Sequence, residues 1–246
     1  MNHSIVKTAL VTLGLTLATH VATAGEWGVG IAAATQQPPQ VGVKRENLAA
    51  PYISYRGKHL KVDLASISYS LYDTDMFEVA VLGQFRFEGY ERKDSTALAG
   101  MATRDPSFDA GLRLSRSADW GMLRLDLLHD ITGTHDGFEA RASYERPYVF
   151  GRWLLAPSVG VSWQDDSLVN YYYGVRANEA RTDRQRHTSR DATNFFAGLS
   201  VGYSLSDRIE ISSGIKHVRF DSSITDSPIV ERRHQTTVVT ALLYKF

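Results

Sequence analysis

The chain has 246 residues, 43% of them hydrophobic, and its 27 basic side chains balance its 27 acidic ones. A neutral chain lacks the surplus of positive charge that binding to phosphates requires, which argues against a nucleic acid as partner. Because there is no cysteine, disulfides cannot stabilise the fold in an oxidising compartment.

The N-terminus has the parts of a secretory signal peptide. Lys7 supplies a short positive region, and residues 8–18 form an apolar stretch too short to span a bilayer. Residues 22–24 (Ala-Thr-Ala) match a small-x-small cleavage site, so we predict cleavage after Ala24. The mature protein then begins at Gly25 and forms one domain. No run of 18 consecutive apolar residues follows in the sequence, so no transmembrane helix is predicted.

The first strands of the mature chain are the least regular. Apolar residues from Leu60 to Leu64 share one phase of alternation, whereas those from Ile67 to Leu71 have the opposite phase. A bulge between them would leave an odd number of strands, but a tight hairpin at residues 65–66 gives twelve strands and puts both termini on one side. We predict the hairpin and twelve strands, with ten as the alternative.

From residue 77 onward, apolar and polar residues alternate over many segments. This period of two predicts strands near residues 77–88, 107–117, 121–130, 137–147, 151–164, 192–205 and 208–220. Within the last of these segments the phase slips between Ile215 and Val218, which we interpret as a bulge.

The predicted connections alternate in length. Short turns fit at residues 57–58, 73–75, 118–121, 146–150 and 206–207. Longer polar loops fit at residues 35–48, 89–106, 131–136, 165–191 and 221–234. Outer-membrane barrels place short turns in the periplasm and long loops outside, so the alternation indicates that class of protein.

The C-terminal strand has a continuous apolar and aromatic face that ends in Phe246. Val238, Thr240, Leu242 and Tyr244 share this face. A terminal aromatic residue on such a strand resembles the sorting signal that the barrel-assembly machinery of the outer membrane reads. We therefore predict that Tyr244 and Phe246 form the assembly signal.

These patterns predict an all-β fold, a transmembrane antiparallel up-and-down β-barrel over residues 25–246 that is embedded in outer-membrane lipid. A soluble β-sandwich also alternates and is the competing interpretation. Charges at successive inward positions and aromatic residues at strand ends favour the barrel, because they suit a hydrated lumen and interfacial girdles.

The inward faces of the predicted strands carry many charges. The charged candidates for the lumen wall are Arg86, Glu88, Arg113, Arg124, Asp126, Glu139, Arg141 and Arg152. Opposite charges at this density form either a salt-bridged plug or a charge-lined pore, and the sequence leaves both open.

Two loop segments carry residue types that also occur in active sites. His129, Asp130, His135 and Asp136 lie at a strand end and in the adjoining extracellular loop. Their spacing is not specific for hydrolysis or for a metal, and such residues are ordinary turn formers. We predict no catalytic, cofactor or metal site.

The longest loop begins with three adjacent tyrosines. Tyr171, Tyr172 and Tyr173 are candidates for a recognition surface or for an interfacial aromatic belt. The following basic segment, residues 181–190, is interpreted as a solvated loop tip, with contact to lipopolysaccharide as the alternative.

Several segments together resemble the MipA/OmpV family. They are HDITGTHDG, GRWLLAPSVGVSWQ, LVNYYYGV, ITDSPIV and the terminal YKF, and the resemblance covers about Tyr52 to Phe246. It implies an outer-membrane protein of a Gram-negative bacterium that acts as a scaffold for periplasmic murein enzymes, a lytic murein transglycosylase and a bifunctional murein synthase. The family offers no catalytic residues to carry over.

We therefore expect a non-enzymatic barrel that anchors enzymes of peptidoglycan turnover. A narrow porin-like channel for small solutes is the alternative, and hydrolysis at the outer rim is a third possibility.

Overall fold

The computed structural model describes residues 25–246, so the predicted signal peptide over residues 1–24 lies outside the described residues. In the described range, no helix combines the length and hydrophobicity that a bilayer crossing requires. The strand segments are β1 (Glu26–Gln36), β2 (Glu46–Arg56), β3 (Leu60–Asp63), β4 (Ser66–Asp73), β5 (Phe77–Arg86), β6 (Ser107–Ala118), β7 (Gly121–Asp130), β8 (Phe138–Glu145), β9 (Tyr148–Phe150), β10 (Trp153–Gln164), β11 (Ala192–Ser204), β12 (Ile209–Arg219) and β13 (His234–Lys245).

The strands form one antiparallel sheet that closes on itself where β1 pairs with β13. Because β8 and β9 both pair with β10, they occupy a single position in the circuit, and the barrel has the predicted twelve strands. The closed sheet has no second layer, so the β-sandwich interpretation was wrong.

Prolines explain the interruption between β8 and β9. Pro147 is the second residue after β8 and Pro157 lies on the facing stretch of β10, and neither residue has an N–H to donate to the ladder. The backbone N–H of Arg146 still donates to the carbonyl of Pro157 at 3.1 Å. The predicted turn at residues 146–150 is therefore misplaced, because the chain reverses at Gly151 and Arg152 instead.

The outward face of the barrel is apolar, as the alternation predicts. On β7, Leu123, Leu125 and Leu127 are 47%, 37% and 46% exposed, while Asp126 between them is buried. Exposed aromatic residues lie near the strand ends, and they include Trp27, Trp120, Trp153, Trp163, Phe138 and Phe195. This is the pattern of a lipid-facing band between two interfacial girdles.

The predicted hairpin near residue 65 is present. β3 and β4 pair over four residues and are joined by Leu64 and Ala65, which explains the change of phase. β3 is only four residues long, so this hairpin rises from the short-turn side of the barrel and stops well below the opposite rim. The bulge in this region lies on β4, between Ser70 and Tyr72.

The bulge predicted on β12 was wrong. The register between β12 and both of its neighbours runs without a shift from Glu210 to Arg219. His217 and Arg219 continue the outward phase at the end of the strand on the long-loop side, where exposed polar groups no longer face hydrocarbon.

The long loops contain the remaining regular structure. They hold helix α1 (Asp166–Tyr173), the single turn α2 (Ser222–Thr225) and 3-10 turns at Thr96–Leu98 and Ala177–Glu179. The side chain of Asp165 caps α1 by accepting a hydrogen bond from the N–H of Leu168. These elements all lie on one side of the barrel, the side that outer-membrane barrels expose to the exterior.

Candidate functional site

One wall of the lumen, formed by β5 to β8, is strongly charged. Near its extracellular end, the Nη2 atom of Arg86 lies 2.6 Å from Oδ2 of Asp109 and 2.5 Å from Oε2 of Glu139. All three residues are at most 4% exposed. An unpaired buried charge costs several kcal/mol, so the guanidinium of Arg86 is what allows two carboxylates to lie side by side here.

A second layer continues the network toward the periplasm. Arg113 donates two hydrogen bonds to Asp126, from Nε at 2.7 Å and from Nη2 at 2.8 Å. Arg141 joins the layers, because its guanidinium lies 3.1 Å from Glu139 and 3.8 Å from Asp126. Cations and carboxylates thus alternate down the wall and neutralise one another, which is the arrangement of a plug.

Two lumen cations are attached to this network less directly. Nη2 of Arg124 donates to the Sδ atom of Met122 at 3.6 Å, and its Nε is buried without a hydrogen-bond partner. On β12, the Nζ of Lys216 lies 4.6 Å from the ring centroid of Phe196. Both still lie near carboxylates, Arg124 near Asp126 and Glu145, and Lys216 near Glu139 and Glu88.

Two of the predicted lumen residues, Glu88 and Arg152, lie outside the strands. Glu88 lies just beyond β5, where its side chain is 44% exposed and its Oε1 is 3.3 Å from Nη1 of Arg86. The prediction that Arg152 points into the lumen was wrong. Arg152 is exposed in the turn between β9 and β10, and it donates to the carbonyl of Leu205 at 2.8 Å.

The opposite wall of the lumen, formed by β13, β1 and β2, is apolar. We call this surface the apolar wall. Its buried members are Ala32, Ala34, Tyr52, Val239, Ala241 and Leu243. Leu48, Ala50, Leu64 and Phe87 pack against it. The strands of this wall are therefore apolar on both faces, and the lumen has one charged side and one hydrophobic side.

The extracellular mouth is closed by a hydrophobic cluster that we call the cap. Four long loops contribute to it, and its buried members are Val43, Tyr90, Leu98, Met101, Leu168, Val169, Tyr172, Tyr173, Val175, Ala192, Ile224, Ile229 and Val230. Fully burying each of the larger side chains contributes about 1.5–3 kcal/mol. A cluster of this size is a small core and not a set of solvated loop tips.

The three tyrosines belong to this cap, so neither predicted role for them was right. Tyr172 and Tyr173 are 1% and 5% exposed on α1, where they face the other loops. Tyr171 is half-buried, and its hydroxyl accepts a hydrogen bond from the N–H of Asp105 at 2.9 Å. Their function is to hold loop residues 165–191 against the loop that contains residues 87–106.

Polar contacts fix the same two loops together. Nη2 of Arg104 lies 2.9 Å from Oε2 of Glu179, and Glu179 also accepts the backbone N–H groups of Ala102 and Arg176 at 2.9 Å each. Burial raises the pKa of the Glu179 carboxyl, but these hydrogen bonds outweigh it and hold the pKa below its usual value. In the segment 181–190, predicted as a solvated loop tip, seven of the ten residues are exposed, whereas Arg184 and Ser189 are buried.

We expect acid to loosen the cap. Because the folded-state pKa of Glu179 is depressed, its stabilising contribution is present above the unfolded value of about 4.3 and is lost as the pH falls through the folded value. Hydrogen exchange at the amides of Ala102 and Arg176, corrected for the intrinsic rate, should accelerate over that range. Glu179→Gln should exchange faster than the wild type at neutral pH and respond less to acid; an unchanged pH response would contradict this role.

The histidines and aspartates near residue 130 form a clamp. Nδ1 of His135 accepts the N–H of Gly137 at 3.0 Å, so its Nε2 carries the proton and faces Oδ1 of Asp109 at 3.3 Å. Asp130 accepts the N–H groups of His135 and Asp136. These contacts fasten the loop to the top of the charged wall.

The same contacts limit the chemistry of this cluster. The ligand atoms of Asp109, Asp130 and His135 lie within 4.8 Å of one another, which is a spacing that a metal ion could use. Both nitrogens of His135 already have partners, however, and Asp109 is paired with Arg86. His129 lies apart, with its ring stacked on Phe138 at 4.1 Å. The arrangement fits a structural clamp better than a general base or a metal site.

The predicted assembly residues lie at the seam that closes the barrel. Tyr244 is on the lipid-facing side of β13, and its ring contacts that of Phe246 at 5.2 Å. The N–H of Phe246 donates to the carbonyl of Trp27 at 2.9 Å, beyond the last β1–β13 pair. The C-terminal residues thus complete the pairing of the last strand with the first.

The chain is similar to known proteins along most of its length. A family model described as MltA-interacting protein MipA matches residues 28–246. The "Putative outer membrane protein YiaT" of Escherichia coli K12 is 25% identical over 228 residues, which are 92% of this chain and 93% of that protein. The "MltA-interacting protein" of the same strain is 23% identical over 246 residues, 98% of this chain and 99% of that one.

Further similarities are of the same kind. "Outer membrane protein Omp26La" of Vibrio anguillarum is 28% identical over 195 residues, covering 78% of this chain and 76% of the relative. Among solved structures, an outer membrane channel from Pseudomonas putida F1 covers 96% of this chain and all of its own, with a TM-score of 0.48 and 10% identity. The NanC porin covers 90% and 99%, with a TM-score of 0.41 and 10% identity.

Proposed function

The chain belongs to the MltA-interacting protein MipA family of outer-membrane barrels, and from this membership we propose that it is a non-enzymatic anchor for murein-degrading enzymes. The observation that carries the proposal is the closed extracellular mouth. Because the cap is a packed core and the charged wall below it is paired, the barrel lacks the features of a freely open diffusion pore. What remains accessible to a soluble protein is the periplasmic rim.

The name of one relative supports the class of partner. The relative called MltA-interacting protein aligns with this chain from end to end, so a murein transglycosylase of the MltA type is the first partner to test. A murein synthase is the second, because an anchor that brings lysis and synthesis together would have to hold both.

The periplasmic rim offers a modest contact surface. Apolar side chains lie at the tips of three separate short connections, where Met76 is 57% exposed, Val149 is 66% exposed and Leu205 is 49% exposed. Val149 occupies the inward phase of β9, opposite Leu154, and so it faces the mouth of the barrel and not the lipid. A ring of exposed apolar tips around a mouth suits the docking of a protein.

Photo-crosslinking from the rim tests this proposal. A photoreactive amino acid at Met76, Val149 or Leu205 should give covalent adducts with a murein transglycosylase in intact cells. The matched control is the same amino acid at Arg186, which is exposed on the extracellular side and should give no such adduct. If none of the three rim positions yields an adduct with a murein enzyme, the anchoring role fails.

A narrow channel is the second candidate. Arg124 and Lys216 favour it, because cations that face a lumen are what a passage for small anions requires. For this candidate the cap would have to open.

A further inference from the structure

The wall of the barrel is incomplete between β2 and β5. β2 pairs with β3 only at Tyr55 and Arg56, because β3 ends at Asp63. Among the described residues, the stretch of β2 from Glu46 to Ser54 therefore has a strand partner only on the β1 side. On the other side of the gap, β4 begins at Ser66, opposite Gln84, and the N–H of Phe85 donates to the carbonyl of Ala65 at 2.8 Å. β5 is therefore paired on this side up to Phe85, and the gap borders its last residue, Arg86.

This gap lies in the extracellular half of the wall, above the turn at Leu64 and Ala65. Two strand positions are vacant at that level, each worth about 4.8 Å of circumference. In hydrocarbon, unpaired backbone groups cost several kcal/mol, so a bare edge is kept only where it serves a purpose or is covered. Pro51 lies midway along the bare stretch of β2, and proline is tolerated in strands mainly at such edges.

The surface directly behind the gap is the apolar wall. Leu48 and Ala50 on the bare part of β2 pack against Ala34 and Val239 inside the barrel. Leu64 forms the lower border, and Phe87, just beyond β5, reaches the same cluster with its ring 4.5 Å from that of Phe85. Apolar side chains thus continue from the border of the gap, at Phe87, to the inner face of the barrel.

The far border of the apolar wall carries a cation. Lys216 on β12 is in register with Thr237 on β13, two residues above Val239. β2 and β12 are three strand spacings apart, about 14 Å at roughly 4.8 Å each, a span that a medium-length acyl chain covers. The Nζ of Lys216 lies over the ring of Phe196, and its charged neighbours at longer range are two carboxylates and two arginines, Glu139, Glu88, Arg141 and Arg86. With three cations against two carboxylates, this point would attract an added anion.

We propose that the gap is a lateral portal through which a single-chain anionic amphiphile enters the lumen from the outer leaflet. Its acyl chain lies along the apolar wall and its head group pairs with Lys216. Phe87 acts as the gate. This inference does not depend on the anchoring role, because it concerns the opposite half of the barrel.

Dodecanoate binding to the full chain in nanodiscs tests the portal. We expect saturable binding above that of empty nanodiscs, measured by titration calorimetry and native mass spectrometry. Ala50→Trp fills the path and Lys216→Gln removes the cation, and each should weaken binding at least tenfold, or about 1.4 kcal/mol. Thr240→Trp and Arg116→Gln are matched controls on the outward face and should stay within twofold of the wild type.

Dodecanol has the same chain length but no carboxylate, so it distinguishes binding through the head group from nonspecific hydrophobic binding. It should bind the wild type more weakly than dodecanoate does, and Lys216→Gln should bind both compounds equally. Heat-modifiable mobility in gels confirms that each variant is folded before it is titrated; where Ala50→Trp does not fold, Leu48→Trp replaces it. Non-saturable binding to the wild type, or full affinity in folded variants of both positions, overturns the proposal.

Discussion

Removal of the cap should convert a closed barrel into a conducting one. We expect replacement of residues 166–190 by a short Gly-Ser turn between β10 and β11 to raise the conductance of the refolded protein in planar bilayers by at least an order of magnitude. The segment supplies α1 and five of the buried cap residues, among them Val169 and Tyr172. Without them the remaining loops cannot exclude water, since the interior of the cap would be exposed.

A point variant makes the same test with less damage. Val169 is fully buried, so Val169→Asp places a charge inside the cap and should destabilise it by several kcal/mol, because the carboxylate has no partner there. Its conductance should lie between those of the wild type and the deletion. Arg186→Ala, an exposed substitution on the same loop, is the control and should leave the barrel closed. A wild type that already conducts as well as the deletion would show that the cap does not seal the mouth.

The same recording separates the two candidate functions. If the deletion variant conducts with a preference for anions, and Arg124→Gln removes that preference, the lumen is a passage that the cap normally closes. If the deletion variant still gives no current steps, the ion-paired wall itself blocks the lumen. That result would favour the anchoring role over the channel.

The sequence predicts the strands well because the lipid imposes a simple rule on them. Each outward position must be apolar, so the alternation on β7 or β10 can be read directly, and the predicted ends agree with the structure to within about two residues. The even strand number also follows from the hairpin predicted at the change of phase between Leu64 and Ile67, where a bulge would leave an odd number.

The cap could not be predicted in the same way. Its residues come from four loops that are far apart in sequence, and Arg104 meets Glu179 across 75 positions. No local period marks such a contact. The helix that carries Tyr171 to Tyr173 has a sequence sign, however, because Asp165 precedes it as an N-cap residue with apolar residues following at Leu168 and Val169.

The sequence also contains a sign of the apolar wall, which the prediction of a charged lumen did not take into account. On β13, both Val238 and Val239 and both Leu242 and Leu243 are apolar, so the inward phase is as hydrophobic as the outward one. A strand of a water-filled barrel alternates instead. The alanines on β1 and β2 likewise place apolar residues at inward positions. Together these strands indicate a lumen that is not uniformly polar.

Loss of Arg86 should be the most damaging single change in the membrane-spanning part. Arg86→Met removes the one cation that both Asp109 and Glu139 contact and leaves two buried carboxylates facing each other. Breaking a buried ion pair from one side costs about 3–5 kcal/mol, so the free energy of unfolding should fall by at least that amount. Reversible urea unfolding in lipid vesicles, followed by tryptophan fluorescence, measures the change.

A second substitution that restores stability to Arg86→Met distinguishes an effect of charge from an effect of packing. Adding Asp109→Asn to Arg86→Met removes the carboxylate that loses its arginine, while Glu139 keeps Arg141 at 3.1 Å, and we expect this double variant to recover most of the lost stability. Arg116→Met is the matched control, since Arg116 is exposed on the lipid side of β6 and contacts only the ring of Phe77 at 5.4 Å; its effect should stay below about 1 kcal/mol. If the double variant is as unstable as Arg86→Met, then the volume of the arginine, and not its charge, holds the wall together.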